Sequence, residues 1–346
     1  MKIAVNTEQI AISDGSSFLV TARDSSINDH RAQGFFARDT RLISYYEISI
    51  NRYPLQLLNS STLTHRIALY QFTNPELLTV RGTLPNGHLI VTVRRDILGG
   101  MHEDIDITNH YTARVEFQLI LAIRSDFADI FQVKSKQLLA RGQMETTWKD
   151  GALTTEYRNG PFHRGIITAP DGASTPPRYA NGRLFFDVAL DPGETWHACV
   201  NFIAVVNGER LEPKHTSAAA DVTAAGKVLA SFLDISTQLQ SSNREVTETY
   251  QQALIDMGAL RIEVEENGRS FWMPAAGMPW FVAVFGRDSI IASLQTMAVS
   301  YEFGHGTLIK LAQLQAMEVD DWRDAQPGKI LHEIRQGELA QLNEIP

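Results

Sequence analysis

Ala276-Gly277-Met278-Pro279-Trp280-Phe281-Val282-Ala283-Val284-Phe285-Gly286-Arg287-Asp288-Ser289 gathers aromatics, two glycines, a proline, a guanidinium and a carboxylate directly before a helical pattern. Ile290, Ile291, Leu294, Met297 and Ala298 recur at helical spacing, which predicts a buried-face helix over residues 288–300. An apolar loop closing on Arg-Asp at a helix start suits a neutral polyol. An aromatic ring offers a platform for a sugar face, and charged groups hydrogen-bond strongly to hydroxyls. The plainer reading is that Asp288 or Ser289 caps the helix. On spacing alone both stand.

The chain has 346 residues, 44% hydrophobic and 21% charged, an ordinary globular composition long enough for two cored domains. A formal net charge of −9, a pI near 5.6 and the lack of any sustained basic run argue against nucleic acid or an anionic membrane surface as partner. No stretch has the length and apolarity of a membrane helix. Met1-Lys2-Ile3-Ala4-Val5-Asn6-Thr7-Glu8 turns polar too early for a signal peptide, so the expectation is cytoplasmic. The one cysteine, Cys199, excludes an intrachain disulfide and a cysteine-based metal cluster, and its alternating strand context predicts a buried, inert thiol.

Residues 1–208 read as short strands separated by turns, the pattern of a β-sandwich domain. Strands are predicted around 18–21, 42–50, 55–58, 88–95, 103–108, 114–119, 184–188 and 197–206, with turns at Asn51-Arg52-Tyr53-Pro54 and Pro85-Asn86-Gly87. Residues 158–164 and 173–177 read as irregular connections. Arg38-Asp39-Thr40-Arg41 and Asp126-Phe127-Ala128-Asp129 read as a structural ion-pair and turn network, with a surface facing a second domain as the alternative. After Gly208 the composition changes, and residues 209–242 read as a helical linker. Ser242 and Glu245 suggest a capping box for a helix over 243–260, striped by Val246, Tyr250, Ala253, Leu254, Met257 and Leu260. Glu265-Glu266-Asn267-Gly268-Arg269 is a turn, and a further helix follows a Thr307 cap.

Four separated stretches also carry a resemblance. Gly277-Met278-Pro279-Trp280-Phe281 with Phe285-Gly286-Arg287-Asp288-Ser289 resembles the opening of the catalytic barrel in glycogen-debranching, amylo-α-1,6-glucosidase-type proteins. Gln326-Pro327-Gly328-Lys329-Ile330-Leu331-His332-Glu333-Ile334-Arg335-Gln336-Gly337-Glu338-Leu339-Ala340 is similar to that family's next motif. Phe35-Phe36-Ala37-Arg38-Asp39-Thr40-Arg41-Leu42-Ile43-Ser44 and Ser125-Asp126-Phe127-Ala128-Asp129-Ile130-Phe131 resemble its N-terminal β domain. The resemblance implies an all-β sandwich followed by residues 243–346 as the first part of an (α/α)6 six-hairpin barrel. The family's barrel has far more helices than fit here. The expectation is therefore a truncated frame or fragment, or a barrel whose missing C-terminal segment another chain supplies, with apolar helix faces left exposed.

Glycosidic hydrolysis takes two carboxyl groups, one protonated to assist the leaving oxygen and one ionised to activate water. The resemblance implies an inverting arrangement acting on α-glucan, without cofactor or metal. The sequence has no His-Glu-x-x-His spacing, since Gln336 stands where a second histidine would follow His332-Glu333. Asp288 beside Arg287 is a poor general acid, because the guanidinium favours the ionised form. The resemblance instead makes Arg287 and Asp288 grip a terminal glucose, with Trp280 or Phe281 as the apolar wall and His332, Glu333, Arg335 and Glu338 facing the same sugar. A salt-bridged surface helix is the alternative for the last four. The acid and base are then expected beyond Pro346. Competing expectations are a related α-glucosidase or trehalase-like specificity, a non-catalytic glucan-binding or interaction module, and an inert fragment.

Overall fold

A computed structural model of the chain describes residues 8–79, 82–139, 141–214 and 229–346. The chain divides into two units, Met1–Ser13 with Ser17–Lys214, and Asp14–Ser16 with His215–Pro346. The polar N-terminal octapeptide, apart from Glu8, and linker residues 215–228 lie outside the described residues.

The first unit is mostly β. β1 (Gln9–Asp14), β2 (Ser17–Ala22), β3 (Gly34–Ala37) and β4 (Thr40–Ile43) form one sheet in sequence order. A second sheet runs β17-β18-β13-β5-β6, from β5 (Tyr45–Ile50), β6 (Tyr53–Pro54), β13 (Val115–Arg124), β17 (Arg178–Ala180) and β18 (Arg183–Leu190). The largest sheet runs β14-β15-β16-β19-β12-β11-β8-β7, with β20 (Glu209–Leu211) added to β19. Its strands are β7 (Gln56–Thr64), β8 (Ile67–Thr73), β11 (Leu89–Leu98), β12 (Gly100–Asn109), β14 (Gln143–Lys149), β15 (Ala152–Asn159), β16 (Phe162–Asp171) and β19 (Thr195–Val206). β9 (Leu77–Thr79) and β10 (Gly82–Leu84) make a small hairpin. The alternation legible in β12 and β13 follows the pleat: Ile105 and Ile107 are buried while Asp104 and Asp106 are half exposed. The second and third sheets pack face to face through Phe186 on Trp196 and Tyr46 on Phe202, with ring centroids 5.3 and 5.9 Å apart.

Several expectations need correction in this unit. Residues 42–50 are not one strand: the chain leaves β4 at Ser44 and enters a different sheet as β5. The hairpin turn is Asn51-Arg52 alone, both at positive φ as a tight two-residue turn requires, and Tyr53-Pro54 is already strand. Residues 158–164 are not irregular but form the tip of the β15–β16 hairpin, with the Arg164 side chain fully buried. Edge strand β7 shifts register against β8 between Leu57 and Asn59 and again between Thr62 and Thr64. Cys199 is half-buried rather than buried. Burial and the nearby Asp104, Asp171 and Asp106 carboxylates push its thiol up to about 12, so it is a poor nucleophile nonetheless.

The second unit mixes helices and hairpins. Its helices are α2, described over residues 229–235, then α3 (Arg244–Ala259), α4 (Gly286–Thr296), α5 (Glu302–Gln313) and α6 (Glu338–Gln341), following α1 (Ile130–Ser135) of the first unit. β21 (Arg261–Glu266) pairs with β22 (Arg269–Pro274) across Asn267-Gly268, and β23 (Val284–Phe285) pairs with β24 (Glu333–Ile334). The cap of α3 is Asn243, accepting the Glu245 N–H at 3.0 Å, rather than Ser242. α5 begins at Glu302, so Thr307 is an interior residue, buried with its hydroxyl 2.9 Å from Ser293 Oγ. α4 buries Gly286, Ser289 and Ser293, whereas its apolar stripe of Ile290, Ile291, Leu294 and Met297 is exposed. The small face is the one that meets α5, through the Ser293–Thr307 hydrogen bond, and α5 in turn approaches β22 so closely that a Cβ at Gly306 would lie 2.1 Å from the Trp272 carbonyl oxygen. Among the described residues no helix is long and apolar enough to cross a membrane.

One buried ion pair ties the first unit's sheets together. Arg95 on β11 donates from Nε to Glu103 Oε2 on β12 at 2.6 Å and from Nη1 to the Ser25 carbonyl at 2.7 Å. The Tyr46 hydroxyl of β5 donates to the other Glu103 oxygen, and the guanidinium lies 4.8 Å and 5.3 Å from the Tyr46 and Tyr70 ring centroids. Tyr70 in turn shares a 2.9 Å hydrogen bond with Thr21 of β2. Removing one partner of such a pair leaves an uncompensated buried charge, whereas replacing both with apolar groups is far milder. Glu103→Leu is therefore expected to lower the unfolding free energy by about 3–5 kcal/mol. The double variant Arg95→Met/Glu103→Leu should recover most of that loss in urea denaturation, and a double variant no more stable than the single would refute the account.

Candidate functional site

The charged stretches of the first unit are structural. Arg38 and Asp39, both at positive φ, make the β3–β4 turn. The fully buried Arg41 donates from Nε to both oxygens of Asp126 at 3.1 Å, pairs again through Nη2, and donates from Nη1 to the Arg31 and Gln33 carbonyls. Asp129 caps α1 in a capping box with Gln132. This is the ion-pair and turn network that the residues suggested.

The candidate site lies in the second unit, where two motifs far apart in sequence meet. Gly277 and Phe281 exchange backbone hydrogen bonds of 3.2 and 2.9 Å around a cis Met278-Pro279 bond, turning the Trp280 segment back on itself. β23 then carries Phe285 against Glu333 of β24, and the Gly286 N–H donates to the His332 carbonyl at 2.9 Å. A Cβ at Gly286 would stand 2.2 Å from the Leu331 carbonyl oxygen, so only glycine permits this crossing. Residues 332–335 are therefore extended chain at this junction and not a surface helix.

Arg335 is the clasp. Its side chain is 3% exposed and donates from Nε to Glu333 Oε2 at 2.6 Å and from Nη2 to the Trp280 carbonyl at 3.0 Å. Its guanidinium also lies 5.3 Å from the Phe285 ring centroid. Phe285 meets Phe281 and His332 edge-on at 5.9 and 6.1 Å. Phe281 and His332 are exposed and Trp280 is half-buried, while Glu338 is almost wholly buried at the start of α6. Arg287 and Asp288 are exposed in the first turn of α4, whose N-cap Phe285 has no capping side chain, so neither Asp288 nor Ser289 caps the helix. Ser289 donates instead to the Pro274 carbonyl at 3.3 Å. Among the described residues the Arg287 and Asp288 side chains form neither a hydrogen bond nor an ion pair, with each other or with any neighbour.

The junction thus gathers Trp280, Phe281, His332, Glu333 and Arg335 and sets Arg287 and Asp288 one step away on α4. It offers exposed aromatic edges, a cation and a carboxylate with free hydrogen-bonding capacity, and a second carboxylate already committed to Arg335. The sequence reading missed Phe285, the ring on which Arg335 rests, and Gly286, which permits the crossing. The Phe-Gly pair inside the motif was the available signal.

Comparison with known proteins gives a family match over residues 12–201, more than half of the chain, to the N-terminal domain of (some) glycogen debranching enzymes. No curated protein matches. Among solved structures, a candidate kojibiose phosphorylase from the human microbiome aligns at 9% identity and a TM-score of 0.43 over 74% of this chain, which spans 40% of that protein. A galactose mutarotase related enzyme from Lactobacillus acidophilus aligns at 7% identity and a TM-score of 0.32, over 59% of this chain and 100% of its own. A galactose mutarotase-like protein from Lactobacillus casei gives 8% and 0.33, over 57% and 99%.

The clasp makes a local prediction. A lysine at 335 keeps the charge but cannot reach Glu333 and the Trp280 carbonyl together or stack on Phe285. Arg335→Lys should weaken the junction by about 1.5–3 kcal/mol, the usual worth of charged hydrogen bonds. Exchange of the Gly286 amide, whose bond to His332 spans the two motifs, should then quicken by about tenfold or more. Unchanged exchange would mean that the β23–β24 pairing holds without the clasp.

Proposed function

The chain belongs to the family defined by the N-terminal domain of some glycogen debranching enzymes, and from that membership we propose that it serves the hydrolysis of an α-glucan, with the amylo-α-1,6-glucosidase type of reaction as the specific activity. In this reading the second unit represents the opening helices of a six-hairpin barrel, and the junction around Arg335 is its sugar-gripping rim. The observation that carries the reading is the pair Arg287–Asp288: exposed, unengaged by any described neighbour, and following directly on Phe285-Gly286, whose Phe285 ring meets Phe281 edge-on. Such a pair can take hydroxyls as charge-assisted partners while an aromatic face covers the apolar side of the ring. Glu333 orients Arg335 rather than the substrate, since its carboxylate is already paired, and the buried Glu338 anchors α6. The proton donor and the water-activating base come from residues outside this sequence, in an inverting arrangement that leaves room for a water between them.

A second reading, a glucan-binding module without turnover, is favoured by that same commitment of Glu333 to Arg335. Calorimetry with a branched dextrin addresses the shared premise. The unmodified chain should bind; Asp288→Asn should weaken binding about tenfold or more, since one charged hydrogen bond is worth about 1.5–3 kcal/mol, and Trp280→Ala should weaken it about two- to tenfold through the lost ring contact. Glucose release from the same dextrin, assayed with the proton donor and base supplied alongside this chain, then separates hydrolase from binding module. Equal affinity in both variants would remove the junction from any role in carbohydrate recognition.

A further inference from the structure

On the outer face of the largest sheet, β12 and β19 place two short alternating runs side by side. His102, Asp104 and Asp106 of one strand stand opposite Asn201, Cys199 and His197 of the other. Alternation puts all six on one face, away from Ile105 and Ile107 in the core.

The donor atoms converge. His102 Nε2 is 2.9 Å from Asp104 Oδ1, the Cys199 thiol donates to that same oxygen at 3.2 Å, and His197 Nε2 is 3.1 Å from Cys199 Sγ. One ligand atom each from His102, Asp104 and Cys199 lies within 4.8 Å of the other two. The second nitrogen of each ring is also engaged. His102 Nδ1 is 2.8 Å from Asn201 Oδ1, and His197 Nδ1 is 2.8 Å from Asp106 Oδ1. Both acceptors hold the ring proton on Nδ1 and present Nε2 as a lone pair toward the cluster, the outer support that metal-bound histidines use. In that tautomer His102 Nε2 and Asp104 Oδ1 are two acceptors face to face, a contact satisfied either by a second ring proton, as in a His102–Asp104 ion pair, or by a bound metal ion.

We propose that His102, Asp104 and Cys199, with His197 as the fourth donor, form a binding site for a divalent transition metal of the zinc class. Imidazole, thiolate and carboxylate together suit a borderline-soft ion rather than magnesium or calcium. A thiolate and a carboxylate neutralise a doubly charged ion, the thiol proton leaving to solvent as the metal–sulfur bond forms. Asp171 pairs with Cys199 in register on β16 and adds negative charge, while Arg94, 3.6 Å from Asp104 Oδ2, opposes it from β11. With metal–nitrogen bonds of about 2.0–2.1 Å and a metal–sulfur bond of about 2.3 Å, tetrahedral edges are about 3.3–3.6 Å. The contacts His102–Asp104, Asp104–Cys199 and Cys199–His197, at 2.9, 3.2 and 3.1 Å, fall short of that by a few tenths of an ångström, and His197, outside the converging group of three, must swing in to complete the set. The half-exposed Asp106, His197 and Cys199 give the ion a route in.

Cobalt is the direct probe. The metal-stripped full chain, titrated with Co²⁺ at neutral pH, should develop a thiolate-to-cobalt charge-transfer band that saturates at one equivalent and is displaced by Zn²⁺. Cys199 is the sole cysteine, so that band reports this site alone. The band should vanish in Cys199→Ser, and Asn201→Ala, which removes only the outer support of His102, should weaken cobalt binding about 10–100-fold. The unmodified folded chain needs no variant to decide the matter: no band at saturating cobalt would show that only a proton bridges His102 and Asp104, and the proposal would fall. A band that survives Cys199→Ser would overturn it equally.

Discussion

The first unit depends on a charge that has nowhere else to go. Arg95 is fully buried, and Glu103 is the only carboxylate among the described residues that its guanidinium contacts. Taking both ions out of water costs several kcal/mol each, so the arrangement persists because every neighbour contributes. Two aromatic faces, a hydroxyl and a backbone carbonyl surround the pair, and they come from the loop after β2, from β5 and from β8. The pair therefore acts less as an energy source than as a register pin. A one-residue slip of β11 against β12 would turn one ion to the opposite face of the sheet. The same pin sets the face on which His102, Asp104 and Asp106 emerge.

The second unit solves a different problem, bringing residues near 285 and near 333 together with little sheet between them. Two residue pairs of β23–β24 are a weak ladder. The crossing is held by close backbone approach at Gly286 and by the reach of Arg335, a side chain whose planar fork serves two acceptors at once. The same economy recurs where α4 meets α5. Ser293 and Thr307 share a hydrogen bond, and the backbone of α5 at Gly306 lies against Trp272.

The sequence was most legible where backbone chemistry is local. Asn267-Gly268 and Asn51-Arg52 mark tight hairpins because both residues of each turn take positive φ. Alternation identified β12, β13 and the run around Cys199 in β19. The β14–β16 hairpins went unseen because β14 is largely exposed on both faces, so its Thr and Glu residues carry no hydrophobic period. The α4 stripe misled for the opposite reason. Periodicity reports which residues share a face, but not whether that face or the small one behind it is covered, and Gly286, Ser289 and Ser293 were the buried set. At the candidate site the motif residues were legible and the clasp geometry was not, since Arg335 acts on a carbonyl 55 positions away in sequence.

The two register shifts of β7 fall on Leu58 and Leu63, which are left without a partner in the ladder and stand 57% and 55% exposed. An exposed edge strand of nine residues, three of them leucine, would otherwise be a ready template for another chain. Each bulge interrupts the row of free amides and bends the strand, so an incoming strand can match its spacing for only a few residues before falling out of step. The greasiest positions of this border are thus also the places where it is least able to recruit a stranger, and the sheet stays finite on that side.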